Sequence, residues 1–118
     1  MQKSSQPRRV VLESPYAGDV ALNVKYARAC LKHSLSLNEA PLASHLLYTQ
    51  VLDDSTPLER AQGIVAGIVW IPLADATVVY TDLGISRGMN EGIHWAEAAG
   101  NPVEYRALPG WEKPSSGP

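Results

Sequence analysis

The sequence has no phenylalanine, a single cysteine and no long apolar run. One cysteine, Cys30, permits no internal disulfide and no zinc cluster, so a disulfide-stapled secreted domain is excluded. No apolar stretch approaches the roughly 20 residues that cross a bilayer. The charged residues nearly balance, at a formal net charge of −2, whereas domains that bind duplex nucleic acid usually carry a basic excess. We therefore expect no membrane span, no nucleic acid duplex as partner and a cytoplasmic location.

The composition is that of one folded domain. Of 118 residues, 45% are hydrophobic and 19% charged, which is typical of globular proteins. Residues 1–7 are polar, so we expect a flexible N-terminus without a secretory signal. Residues 109–118 hold three of the nine prolines together with Gly and Ser, which predicts a flexible C-terminal tail. The folded domain is expected over residues 8–108.

Hydrophobic periodicity predicts strands that alternate with helices. The predicted strands cover 9–13, 40–44, 76–80 and 102–106, and the predicted helices cover 20–37, 57–71 and 86–99. Segment 45–55 reads as either a loop or an irregular helix. At the start of the second helix, Thr56 is the expected N-cap, with Pro57 at the first helical position and Glu59 completing a capping box. The alternation predicts a three-layer flavodoxin- or Rossmann-like α/β domain with four or five parallel strands and a ligand site at their carboxyl ends.

The loop after the third predicted strand is rich in residues that can contact a ligand. They are Asp82, Gly84, Ser86, Arg87, Gly88 and Glu91. The glycines allow close approach of a ligand to the backbone, and the serine, the arginine and the free N–H groups of the helix suit an anion. The aspartate can accept hydrogen bonds from a sugar. A plain strand-to-helix turn, with Asp82 or Ser86 as cap, is the alternative.

Residues 84–88 also read G-x-S-x-G between a strand and a helix, the pattern of a nucleophile elbow. Ser86 would then be the nucleophile of a serine hydrolase. Such an enzyme needs an acid and then a histidine downstream, and only His94 follows, about two turns along the same helix. A serine hydrolase that acts through Ser86 is therefore one hypothesis, based on the motif alone.

Two further segments carry polar aromatic residues. Tyr16, in the loop after the first strand, can present a ring edge and a hydroxyl to a ligand, and His45 and Tyr48 can line a base pocket by stacking. A packed tyrosine and a histidine bonded to the backbone are the alternatives. His45 has no partner at metal-ligand spacing, so no metal site is expected.

Together these segments resemble the nucleoside 2-deoxyribosyltransferase-like superfamily over about residues 9–108. The similarity lies in Ser14-Pro15-Tyr16-Ala17-Gly18, in Ala74 to Asp82, in Ser86-x-Gly88 with a following glutamate, and in Gly100-Asn101-Pro102-Val103. The sequence looks closest to a small branch found in phages and actinobacteria. The resemblance implies a flavodoxin-like sheet, no cofactor, and cleavage of the N-glycosidic bond of a small-molecule nucleoside or nucleotide. It also implies a homodimer or larger homo-oligomer, since the superfamily completes its pocket with a neighbouring subunit.

The resemblance assigns the reaction to a carboxylate nucleophile. Glu91 would attack the anomeric carbon, the base would leave, and water or a second base would complete the reaction. Asp82 would hold the sugar and Tyr16 would orient Glu91 or the sugar. The remaining substrate-binding residues would be Pro15, Gly18, His45, Gly84, Ser86, Arg87 and Gly88, with Ser86 and Gly88 at the 5′ end.

One spacing departs from the superfamily pattern, which places the glutamate two residues before a glycine. Here Gly92 follows Glu91 directly. One residue along a helix turns a side chain by about 100°. A non-catalytic protein that senses or sequesters a nucleotide-derived ligand is therefore the alternative hypothesis.

Overall fold

The computed structural model describes residues 6–112 and shows four parallel strands in the order β2-β1-β3-β4. The strands are β1 (Arg8–Glu13), β2 (Glu39–Leu42), β3 (Ala76–Tyr80) and β4 (Val103–Arg106). The helices are α1 (Val20–Ser36), α2 (Ser44–Leu47), α3 (Pro57–Trp70) and α4 (Arg87–Ala98), with single 3₁₀ turns at Tyr48–Gln50 and Ile71–Leu73. This four-stranded parallel architecture confirms the predicted fold class. No helix in this part of the chain is both long and apolar enough to span a membrane.

The strand order follows from the residues of each strand. All five residues of β3 are buried, as are Val10, Val11 and Leu12 of β1, because a central parallel strand packs against helices on both faces. β2 lies at the edge and carries Pro41 opposite Val10. An edge strand tolerates a residue that cannot donate a ladder hydrogen bond.

The two faces of the sheet hold separate apolar clusters, which makes the domain three-layered. On one face, Tyr26 and Cys30 of α1 pack with β1 and β3 residues such as Val78. On the other face, α4 and the turn after α3 pack against the sheet through residues that include Ile71 and Ile93. Successive residues of a strand point to opposite faces, so neighbouring positions of β1 and β3 serve different clusters.

A partly buried ion network lies on the α1 side of the sheet. The Glu39 carboxylate accepts from Arg106 Nη2 at 2.6 Å, from Arg8 Nη2 at 2.8 Å and from Ser34 Oγ at 2.7 Å. Glu104 accepts from Arg8 Nη1 at 2.7 Å. Burial by itself would raise the pKa of Glu39, but the hydrogen bonds from Arg106, Arg8 and Ser34 lower it to about 2. The network joins β1, β2 and β4 through charged groups far apart in sequence.

Between α2 and α3 the structure decides one alternative that the sequence left open and corrects one prediction. Segment 45–55 is partly helical, with α2 followed directly by a 3₁₀ turn. The predicted capping box at Thr56 is wrong, because its hydroxyl donates to the Asp53 carbonyl at 3.1 Å and makes no capping bond. Glu59 instead accepts from the Asp53 N–H at 2.8 Å. Both side chains therefore order the preceding loop rather than the helix end.

Packing of the domain continues past residue 108. Trp111 lies against Tyr26, with ring centroids 4.9 Å apart in an edge-to-face arrangement, and the backbone N–H of Trp111 donates to the Leu108 carbonyl at 3.2 Å. The rest of the predicted tail, residues 113–118, and residues 1–5 of the predicted flexible N-terminus lie outside the described residues.

Candidate functional site

A cavity of about 190 Å³ lies between the carboxyl end of β1, the helices α2 and α3 and the N-terminal half of α4. The chain leaves β1 for β2 on one side and later returns to β3 on the other, so the strand order reverses at this point. Open parallel sheets bind ligands at such positions. Sites for drug-sized ligands usually measure about 300–1,000 Å³. The cavity therefore encloses part of such a ligand rather than the whole.

The start of α4 forms one wall, through Ser86, Arg87, Gly88 and Glu91. Ser86 Oγ accepts from the Met89 N–H at 3.3 Å and so caps the helix. The positive end of the helix dipole, together with the exposed Arg87 guanidinium, favours a negatively charged group here.

The serine-hydrolase hypothesis finds no support in this geometry. The Ser86 hydroxyl is engaged as a helix cap, and within residues 6–112 it makes no hydrogen bond to a histidine ring. His94 instead stacks edge-to-face on Trp95, farther along α4. The G-x-S-x-G pattern is therefore only a strand-to-helix turn.

The sequence analysis missed Glu13, which lines the cavity from the end of β1. Its carboxyl group makes no hydrogen bond or ion pair with any residue in the described part of the chain. Burial raises the pKa of Glu13 to about 8, so the group is mostly protonated at neutral pH. A position at the carboxyl end of a buried strand was the available signal, because the sheet brings such positions to the ligand site.

Gly92 of α4 makes room for that carboxyl group. A Cβ atom at position 92 would lie 2.6 Å from Cδ of Glu13, far inside van der Waals contact. The Glu13 carboxyl therefore rests against the backbone of α4, one residue from Glu91. Two glutamate side chains, one half-buried and one exposed, thus line a single cavity.

His45 also lines the cavity, together with Tyr48. Its Nε2 is hydrogen-bonded to Ser14 Oγ at 2.7 Å, another contact that the sequence analysis did not foresee. Burial lowers the pKa of His45 to about 4. The imidazole is therefore neutral at physiological pH, with one ring nitrogen donating and the other accepting. A neutral ring suits stacking against a flat ligand.

Tyr16 lies at the cavity as predicted, but four other predicted residues do not. They are Pro15, Gly18, Asp82 and Gly84. Pro15 is buried elsewhere, and the two glycines have positive φ angles in the turns before α1 and α4.

The prediction that Asp82 holds a sugar is at odds with the structure. Its Oδ2 accepts from the Tyr26 hydroxyl at 2.6 Å and from the Leu108 N–H at 2.8 Å. After β3 the chain first turns toward the α1 side of the sheet. This carboxylate therefore connects α1 to the C-terminal segment by hydrogen bonds instead of facing the ligand site.

The remaining wall comes from α3, which the sequence analysis did not place at the site. Ile64 and Ile68 supply apolar surface, and Arg60 adds a second exposed cation. Arg60 makes no ion pair among the described residues. An amphipathic helix alone does not show which of its residues meets a ligand.

No set of three or more His, Cys, Asp or Glu side chains within residues 6–112 is grouped to hold a metal ion. The side chains that line the cavity include acid–base, nucleophilic and anion-binding groups.

Comparison with known proteins adds a family and a fold relative. Residues 8–106 match a family model described as a domain of unknown function, DUF7768. No curated protein matches the sequence. Among solved structures, the chain is similar to the 2-deoxyribosyltransferase of the psychrotolerant bacterium Bacillus psychrosaccharolyticus, with a TM-score of 0.67 and 15% sequence identity. The alignment covers 90% of this chain and 77% of that one, and at this identity the likeness concerns the fold.

Proposed function

Since the chain belongs to the DUF7768 family of domains of unknown function, we propose its function from the residues that line the cavity. The proposed function is cleavage of the N-glycosidic bond of a nucleoside or nucleotide, with Glu91 as carboxylate nucleophile. The observation that carries this proposal is that Glu91, Tyr16 and the N-terminus of α4 line one cavity at the reversal of strand order. The fold relative acts as a 2-deoxyribosyltransferase, which supports the nucleoside class of substrate.

The proposed reaction has two steps. Glu91 attacks the anomeric carbon, the C–N bond breaks and its electron pair leaves with the base. Water, or the nitrogen of a second base, then attacks the same carbon and releases the Glu91 carboxylate. Hydrolysis and sugar transfer differ only in this second nucleophile.

The lining residues suggest how such a substrate lies. An anionic 5′ group fits the start of α4 beside Arg87, with the exposed Arg60 as a second cation. The base fits among His45, Tyr48 and the apolar side chain of Ile68. A nucleoside 5′-monophosphate matches both the cationic and the apolar part of the site.

A non-catalytic nucleotide-binding protein is the second candidate, and one observation favours it. The Tyr16 hydroxyl makes no hydrogen bond to Glu91 in the described part of the chain, and Asp82 is engaged by Tyr26 and Leu108. Tyr16 therefore does not orient Glu91 by a hydrogen bond, and Asp82, which the resemblance assigns to the sugar, bonds groups of the protein instead. The same cavity then binds a ligand without turning it over.

The test is base release from a panel of ribo- and deoxyribonucleosides and their 5′-monophosphates, followed by chromatography. Wild-type protein is expected to release base from at least one member, and Glu91→Gln is expected to abolish that release. Glu97→Gln is the matched control, because Glu97 is exposed on the same helix and does not line the cavity. Absence of release from every member, with a ligand-induced thermal shift for one of them, would favour the binding protein.

We also propose that the protein is a homo-oligomer that associates through α3. No residue of this helix is buried, and Leu58, Val65 and Val69 are 81%, 59% and 63% exposed. Ile64 is exposed and lines the cavity, so a second copy seated on α3 would also extend the cavity wall. Sedimentation of wild type as a dimer or larger, and of Val65→Glu as a monomer, would support this. Ala21→Glu on the exposed start of α1 is the control, and a monomeric wild type would refute the proposal.

A further inference from the structure

The two-step reaction leaves one group of the cavity without a role. Glu13 lines the same cavity as Glu91, yet its carboxyl group has no hydrogen-bond or ion-pair partner within residues 6–112. A largely desolvated carboxyl group without a partner costs stability. Such a group at the floor of a cavity is a candidate for contact with a ligand.

We propose that Glu13 is the proton donor to the departing base, an inference that rests on the proposed function of the cavity. The geometry behind it is specific. β1 ends at Glu13, Gly92 lets the carboxyl group rest against α4, and Glu91 directly precedes Gly92 on that helix. The donor and the nucleophile thus enter the cavity from two different elements.

Burial keeps this carboxyl group protonated, since it raises the pKa of Glu13 to about 8. The charged side chains that face the same cavity are Asp54, Glu59, Arg60, Arg87 and Glu91. The other titratable groups there are Tyr16, His45 and Tyr48. Among them, Arg60 and Arg87 are exposed to solvent, and burial is the cause of the shift at Glu13. The protonated Glu13 can therefore act as the general acid, and the exposed Glu91 as the nucleophile. Glycoside hydrolysis divides these two roles between two carboxyl groups in the same way.

The proton has a defined path in each step. When the C–N bond breaks, its electron pair stays on the base, and the Glu13 proton moves to a ring nitrogen so that the base leaves neutral. Glu91 is then esterified to the sugar and Glu13 is a carboxylate. In hydrolysis, the incoming water gives its oxygen to the anomeric carbon and one proton to Glu13. Both glutamates return to their starting states.

Paired substrates separate proton donation from every other role. A purine nucleotide released by the wild type is compared with its N7-methylated form, whose base is already positively charged and leaves without a proton. For a pyrimidine substrate, the 5-nitro derivative replaces the methylated one because its base is less basic. Glu13→Gln is expected to slow release of the ordinary base by at least about 100-fold, a typical size for general acid catalysis. Release of the modified base should stay within about threefold of wild type.

Two further variants guard against an indirect effect. Gly92→Ala keeps Glu13 but forces its carboxyl group to move, and it should produce the same selective loss. Glu97→Gln should change neither rate. Thermal melting of each variant shows that it is folded. The wild-type rate on the ordinary base should also fall above about pH 8, and this alkaline limb should be absent for Glu13→Gln.

Each contrary result has a distinct meaning. Equal rates for wild type and Glu13→Gln on the ordinary base, or equal losses on both members of the pair, would overturn the inference and leave the glycosidic function standing. Activity of Glu91→Gln together with an inactive Glu13→Gln on both members would make Glu13 the nucleophile and overturn both assignments. A wild type that releases no base from any substrate would remove the proposed function and with it this role.

Discussion

Replacing Glu13 by glutamine is expected to stabilise the fold at neutral pH, because the buried carboxyl group opposes folding wherever the unfolded chain would ionise it. In the folded protein burial raises the pKa of Glu13 from 4.5 to about 8. Below pH 4.5 the group is protonated in both states, so its contribution to stability is fully present. As pH rises toward 8 the unfolded state loses this proton and the folded state keeps it, so stability is lost.

The magnitude follows from the width of that pH window. Each pH unit between the two pKa values costs about 1.4 kcal/mol. At pH 7 the accumulated penalty is therefore ~3 kcal/mol, and above pH 8 it approaches ~5 kcal/mol. Glutamine has nearly the same shape and no charge to lose. The free energy of unfolding of Glu13→Gln should thus match that of wild type near pH 4 and exceed it by ~3 kcal/mol at pH 7.

Urea unfolding followed by tryptophan fluorescence, at several pH values between about 4 and 9, measures this difference. His45 titrates in the same range, since burial lowers its pKa from 6.5 to about 4. It destabilises the fold as pH falls below 6.5, but equally in both proteins, so the effect cancels in the comparison. Glu97→Gln, at an exposed position, should differ from wild type by no more than about 0.5 kcal/mol at any pH. A difference between Glu13→Gln and wild type that stays constant from pH 4.5 to 8, or that falls, would refute the argument.

Three further outcomes are expected from the same structure. Glu39→Gln leaves the guanidinium of Arg106 without its buried carboxylate and should lower the free energy of unfolding by ~3 kcal/mol. Since the native pKa of Glu39 is lowered to about 2 by its hydrogen bonds despite burial, wild type should lose stability as pH falls from 4.5 to 2 and the variant should lose less. Cys30 is fully buried and burial raises its pKa to about 12, so an aromatic disulfide reagent should label it only after denaturation, and rapid labelling of the native protein would contradict this packing. Trp111→Ala removes the ring that packs on Tyr26 and should lower the unfolding free energy by ~1–2 kcal/mol, whereas an unchanged midpoint would mean that the segment is detached.

Local sequence patterns were sufficient to predict the strands of the sheet and most helix ends. Residues 76–80 are β-branched and aromatic between turn-forming residues, and β3 has the predicted bounds. Ser86 caps α4 because a serine hydroxyl can reach the N–H three residues on. At Thr56 the same logic failed, since Asp53 offered its carbonyl to the threonine hydroxyl and its N–H to Glu59. Caps compete with nearby loop groups, and sequence does not rank those competitors.

The candidate site was likewise predicted from the sequence only in part. The loops after the first and third strands were singled out from sequence, and Tyr16 and Glu91 do line the cavity there. Asp82 lies in one of those loops but bonds Tyr26, 56 residues away in the chain. Glu13 was not predicted because it ends an apolar strand. Its place at the site depends on Gly92 of a helix distant in sequence, which leaves room for the Glu13 carboxyl group.

By itself, then, the sequence determined the order of strands and helices, the parallel class of the sheet and the edge of the sheet where polar loops gather. Each of these depends on periodicity and turn residues within about 15 neighbours along the chain. Only the tertiary structure decided that the Glu13 carboxyl group is desolvated and without a partner, and that His45 is neutral beside Ser14. It also decided that Asp82 bonds Tyr26 of α1 instead of facing the cavity. Burial and partner choice are set by residues brought together across the fold, and desolvation by those residues shifts the protonation of a side chain from its value in water.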